Sequence, residues 1–180
     1  MMSCTRRKAL AAVGTTLSLS GCARIARPSS ERAAPTTNEP SDTEHAVETH
    51  SKPTFVGDSF PLSVEEDANT VDELADASLV FVSPETSLSD RKLVDAVCGG
   101  SLIAFVGSEA GKQLGATLNE GNARQCLPYA TEGGSGAVVA GVHPAAGELV
   151  THYYGSSGDN TQQYKYSALN DLSSYFSSDQ

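Results

Sequence analysis

Residues 75–107 read ADASLVFVSPETSLSDRKLVDAVCGGSLIAFVG, and this stretch decides the fold. Ser78-Leu79-Val80-Phe81-Val82 and Ser101-Leu102-Ile103-Ala104-Phe105-Val106-Gly107 are near-continuous apolar runs, the pattern of strands covered on both faces. Between them Ser87 precedes Asp90 by three residues, and Leu93, Val94, Val97 and Cys98 recur at helical spacing. Gly99-Gly100 then supplies residues free to take positive φ, which ends a helix. Strand, helix and strand over 78–107 make a βαβ unit, so the two strands are expected to run parallel with a right-handed crossover.

Working outward, Phe55-Val56 reads as a short first strand, and Thr70-Val71-Asp72-Glu73 has capping-box spacing that predicts a helix over 71–77. Downstream, Ser108 to Leu114 opens a third helix weakened by Gly111 and Gly115. Cys126 to Ala130 reads as an edge strand, because Pro128 cannot donate to a central ladder. Residues 137–142 and 149–154 form a hairpin around Pro144-Ala145-Ala146-Gly147, and Leu169, Leu172 and Phe176 mark a closing helix over 167–176. The fold class is therefore α/β: a three-layer sandwich with a partly parallel sheet, the βαβ unit at 78–107, and a C-terminal β-hairpin plus helix. One such domain fills 53–180, a length that supports one core and not two.

The quoted stretch also resembles the part of class I glutamine amidotransferase-like domains in which an exposed loop leads to a helix, a Gly-Gly and a strand. The resemblance implies a fold. That superfamily's nucleophilic cysteine sits on a sharp strand-to-helix turn in a Gly-x-Cys-x-Gly setting. Cys98 instead lies at a helix end before a strand, between Val97 and Gly99, so the activity does not carry over.

The first 22 residues carry an address. Thr5-Arg6-Arg7-Lys8 is a basic n-region, and Ala9 to Ser20 is an uncharged run too short and too polar for a permanent membrane span. Arg6-Arg7 before a weakly hydrophobic core resembles a twin-arginine export signal, although Lys8-Ala9-Leu10 replaces the usual Phe-Leu. Leu19-Ser20-Gly21-Cys22 resembles a lipobox, which implies cleavage between Gly21 and Cys22 and lipidation of the Cys22 thiol. Residues 1–21 are then a signal peptide. Residues 22–52, with Pro28, Pro35 and Pro40 among Ser, Thr, Glu and Arg, read as a lipid-anchored disordered tether. His45 and His50 fall in that tether and are expected to be solvated.

Charge narrows the partners. The chain has 12 basic and 22 acidic residues, and every acidic one follows Cys22. Loss of Arg6, Arg7 and Lys8 with the signal takes the net charge from −10 to −13. Such an excess repels nucleic acid and anionic membrane surfaces. Acidic bias with few lysines, behind a twin-arginine lipoprotein signal, resembles the secreted proteins of salt-loving archaea; the alternative is an ordinary acidic secreted protein of a bacterium. The expected partner is the membrane, through a lipid on Cys22, with a protein of the envelope as a further one.

Motifs for chemistry are sparse. Gly107 to Lys112 has three residues between its glycines where a phosphate-cradling loop needs four, and Gln113 replaces the metal-binding hydroxyl. Gly133-Gly134-Ser135-Gly136 precedes a strand, the wrong order for a dinucleotide fingerprint. His143 and His152 face each other across the hairpin without a clear third metal ligand, so neither a metal nor a cofactor is expected. Ligands of such sheets bind beyond the carboxyl ends of parallel strands, where Ser83, Glu85, Ser108 and Glu109 form a candidate ligand loop. The competing reading makes these four residues helix caps and first-turn acids. Cys98 and Cys126, the two cysteines left once Cys22 carries lipid, are expected to form a disulfide. The whole reads as a cell-surface lipoprotein with a non-catalytic α/β domain, a binding or structural component of the envelope. The rivals are an amidotransferase-like or hydrolase-type extracytoplasmic enzyme and an accessory subunit of a membrane transporter.

Overall fold

A computed structural model of the 180-residue chain describes residues 45–126, 136–156 and 158–178. Arg6, Arg7, Gly21 and Cys22 lie outside the described residues, as do Leu127 to Ala130 of the expected edge strand. Among the described residues, five strands form one mixed sheet in chain order: β1 (Thr54–Val56), β2 (Leu79–Val82), β3 (Leu102–Val106), β4 (Val139–Ala145) and β5 (Glu148–Tyr154). β1, β2 and β3 are parallel; β4 and β5 are antiparallel additions, so the chain forms an α/β fold with a βαβ unit and a hairpin. Helix α1 (Asp90–Cys98) makes the β2–β3 crossover, α2 (Ala110–Glu120) follows β3, and α3 (Gln162–Ser178) closes the chain.

The alternation of the central strands splits the core in two. Val80, Val82, Ile103, Phe105, Ala140 and Val142 point to the side covered by α1 and α2, where Leu93, Val94, Val97, Leu114 and Leu118 meet them. Leu79, Phe81, Leu102, Ala104, Val106 and Val139 point the other way, onto Ala168, Leu169, Leu172 and Phe176 of α3. All residues of β2 and β3 are buried, as their unbroken apolar runs require. Gly141 is what lets α3 settle, because a Cβ there would overlap Leu172 Cδ2 and come within 3.2 Å of the Ile103 carbonyl.

Several element limits differ from the sequence reading, each for a local reason. The capping box at Thr70 does not form: Val71 N donates to the Thr54 carbonyl at 2.9 Å, which holds this chain extended beside β1. A single 3-10 turn at Leu74–Asp76 replaces the helix over 71–77. α1 begins after Ser89, not Ser87. α2 runs on to Glu120 despite its glycines. Cys126 ends a 3-10 turn (Ala123–Gln125) and is not a strand residue. The hairpin turn shrinks to Ala146-Gly147, both at positive φ, because Pro144 still pairs with Leu149. β3 pairs with β4 only as far as Val142, so the missing N–H of Pro144 costs no bond on that side. α3 starts earlier than its stripe of leucines, with the partly buried Tyr164 and Tyr166 extending the packed face.

The tether boundary at residue 52 is corrected. Val47 and Thr49 are fully buried, and Val47 bridges Val64 in parallel. Residues 45–52 form a strap across α3: Glu48 N donates to Asn170 Oδ1 at 3.0 Å, and the Lys52 ammonium lies 4.5 Å above the Phe176 ring. The Thr49 amide and hydroxyl both donate to Glu65 Oε1, the amide at 2.7 Å. Those hydrogen bonds, the side-chain one first, hold the Glu65 carboxyl below its usual value. A carboxylate depressed by folding stabilises fully above its unfolded pKa and loses that contribution as pH falls through the lower folded one. The strap should therefore loosen below about pH 4.5. Amide exchange at Thr49, compared between pH 6 and pH 3, should show protection falling relative to β3. Equal protection at both pH values would contradict it.

Candidate functional site

Ser83 follows β2 and Gly107-Ser108-Glu109 follow β3, so the carboxyl ends of two parallel strands open onto the same place. There they line an open cleft of about 430 Å³, bordered also by Ser59, Pro61, Gln113, Lys112 and Lys165. All four residues of the candidate ligand loop, Ser83, Glu85, Ser108 and Glu109, reach this cleft.

The local chemistry explains their positions. The Ser83 hydroxyl accepts from Glu85 N at 3.2 Å, a side-chain-mediated turn that carries Glu85 over the strand end. Ser83 is buried, whereas Glu85, Ser108 and Glu109 are exposed. Glu109 Oε2 lies 3.3 Å from Lys112 Nζ one turn into α2. Both are well exposed, so this ion pair adds little stability. The competing reading of these residues as caps and helix-start acids holds for Glu109 and fails for Ser83 and Glu85. Ser83 and Glu85 lie well ahead of α1, whose N-cap is Ser89, whereas Glu109 is the N-cap residue of α2, an acid at the positive end of the helix, without a side-chain capping bond. The cleft presents hydroxyls, carboxylates, an amide and two ammonium groups together, beside the apolar Pro61, Pro84 and Val106.

Sequence reasoning missed Ser59, Pro61 and Lys165 as lining residues. Ser59 and Pro61 reach the cleft through the loop after β1, and Lys165 through the first turns of α3. Nothing local in the sequence marks them, because their position depends on how α3 docks.

A second cluster lies on the α3 side of the hairpin. His143 is buried, and its Nε2 lies 3.2 Å from His152 Nε2. The two rings are within 15° of parallel. Burial first, then the charge of His143, lowers the pKa of His152. Tyr154, on the same face, has its hydroxyl pushed up to about 12, first by burial and then by Asp171. Around the pair lie aromatic rings, Phe176 beside His143 and Tyr154 and Tyr175 beside His152. Ser174 Oγ approaches His50 Nε2 at 3.5 Å, on the exposed side of α3.

Cys98 and Cys126 are joined as a disulfide, with Cα atoms 5.9 Å apart, a normal span for such a bridge. Cys98 is thereby removed as a nucleophile. Among the described residues no helix is long and apolar enough to cross a membrane, and no group of three or more His, Cys, Asp or Glu side chains is placed to hold a metal ion. Comparison with protein-family models, curated proteins and solved structures finds no match.

Proposed function

We propose that this chain is a lipid-anchored extracytoplasmic binding protein whose α/β domain takes a small polar solute in the cleft beyond β2 and β3. The observation that carries this reading is the convergence of Ser83, Glu85, Ser108 and Glu109 on one cleft, together with Lys112 and Lys165. Carboxylates and ammonium groups side by side suit a ligand that carries both signs or is an uncharged polyol. Two carboxylates disfavour a phosphate. The lipobox at Leu19-Ser20-Gly21-Cys22 and the paired Arg6-Arg7 support the location, on the outer face of a membrane after twin-arginine export.

The two halves of this proposal are tested separately. Cys22→Ser should release the protein from the membrane fraction or leave an uncleaved precursor, and replacing Arg6-Arg7 with two lysines should retain it inside the cell. Unchanged membrane fractionation of the first variant and unchanged export of the second would each remove its half of the address. For the cleft, a thermal-shift screen of amino acids, betaines and sugars should find a solute that raises the melting temperature. Lys165→Ala should abolish that shift. A screen with no responder would leave the domain as a structural component, and a shift that survives Lys165→Ala would overturn the assignment of binding to this cleft.

Acidity adds an expectation about salt. From Pro53 onward the chain has 17 acidic and five basic residues. The Debye length shrinks from roughly 30 Å at 0.01 M to about 3 Å at 1 M, so molar salt screens a repulsion that dilute buffer leaves in place. The melting temperature should rise with salt concentration. A flat profile between these limits would remove the halophilic reading.

A further inference from the structure

The histidine pair at the hairpin asks for something between its rings. At an Nε2–Nε2 separation of 3.2 Å, two lone pairs or two N–H groups facing each other would repel, so the gap holds a proton or a cation. His143 Nδ1 lies 3.4 Å from the Pro144 carbonyl. Donation from that nitrogen leaves the His143 Nε2 lone pair free and aimed at His152. A ligating histidine commonly has this arrangement, its second nitrogen oriented by a backbone carbonyl.

We propose that His143 and His152 form a two-imidazole site for a divalent transition-metal ion of the copper, nickel and zinc class. Two nitrogens bound to one tetrahedral ion at about 2.0–2.1 Å are roughly 3.3 Å apart, close to the spacing already present. The ring centroids are 5.3 Å apart, nearly the span of an end-to-end arrangement through two nitrogens 3.2 Å apart, so both nitrogens point into the gap. In the metal-free pair His152 donates Nε2–H to His143. On metal binding that proton leaves Nε2, solvent returns one to Nδ1, and the net protonation of the pair is unchanged. The ion's remaining positions are open to water.

Packing sets up the site before any ion arrives. Gly141 pairs with His152 and His143 with Val150, so the histidines are diagonal neighbours on one face, in a register pinned by the two-residue turn. His143 is held edge-on by the Phe176 ring at 5.8 Å. His152 lies between His143 and the ring of Tyr175, 5.5 Å away, and Tyr175 is 58% exposed. Access is therefore from the His152 side. No carboxylate is among these contacts, which favours imidazole-seeking ions over calcium or magnesium. The chain's net negative charge raises the local concentration of any dication.

Calorimetric titration of the full chain should show one equivalent of Cu(II) bound, more tightly than Ni(II) or Zn(II), and none of Mg(II) or Ca(II). Saturating metal should raise the melting temperature by about 5 °C. His152→Gln, at a partly exposed position, should weaken binding at least tenfold, whereas the double variant His45→Gln with His50→Gln should bind as the parent does. Proton NMR of the parent with substoichiometric Cu(II) should broaden the ring signals of His143 and His152 first. This readout does not depend on any variant folding. Broadening confined to His45 and His50, undiminished binding by His152→Gln, or no binding at millimolar metal would each overturn the site and leave a proton-sharing pair.

Discussion

Reduction of the Cys98–Cys126 bridge, or Cys98→Ser with Cys126→Ser, should lower the unfolding free energy by about 3.6 kcal/mol at room temperature. The bridge joins residues 28 apart in sequence, and the chain-entropy model applied to that loop gives this value. The loop contains β3 and α2, a central strand and one of the two helices covering its face. A domain of this size has a total stability of about 5–15 kcal/mol, so the loss is a large share. Cys126 is exposed and Cys98 half-buried, so a reductant can reach the bond in the folded protein. Denaturant unfolding with and without dithiothreitol measures the difference. Coincident curves, with reduction verified by alkylation and mass spectrometry, would show that the bridge does not hold the fold.

Leu172→Ala should cost about 2–5 kcal/mol. Leu172 is fully buried on α3 against Gly141, and its removal leaves a void that the neighbouring backbone of β4 cannot fill. Gly141→Ala alone should cost about 1–3 kcal/mol by overpacking, because the new methyl and Leu172 Cδ2 claim the same space. Combined, the substitutions should be less damaging than their separate costs imply, since the methyl at 141 enters the space vacated at 172. A double-mutant cycle reads this as a compensating coupling of roughly 1 kcal/mol or more. Additive costs would mean that α3 shifts to absorb each change independently.

The parts of the fold legible in sequence were those whose burial is local and total. β2 and β3 announce themselves because every residue is covered, and α1 because Leu93, Val94 and Val97 share one stripe. The strap at 45–52 was hidden by its composition. Val47 and Thr49 are isolated buried residues among His45, Glu48 and His50, and their partners Val64 and Glu65 come from a loop without periodicity. Thr70 misled in the opposite way, since a residue able to cap a helix was used to extend the edge of β1. Four residues of the cleft were visible because strand carboxyl ends are a positional rule. Lys165 was not, because it arrives from an element far along the chain. The histidine pair was legible as a pairing across the hairpin. The tilt that brings Nε2 to Nε2 depends on Phe176 and Tyr175.

Strand order in this sheet is the order of synthesis, and that has a consequence for when the protein becomes safe from aggregation. Each strand after β1 has its neighbour already made when it emerges, and α1 and α2, which cover one face, are made before β4. The opposite face, with Leu79, Phe81, Leu102, Ala104 and Val106, has only the strap and the loop around Phe60 and Leu62 until α3 arrives. A nascent chain stopped short of residue 162 would present half a core to its surroundings, the condition under which partly folded intermediates associate. Docking of α3 therefore completes the core of this domain, and anything that recognises an unfinished core has until residues 162–178 are made in which to hold it.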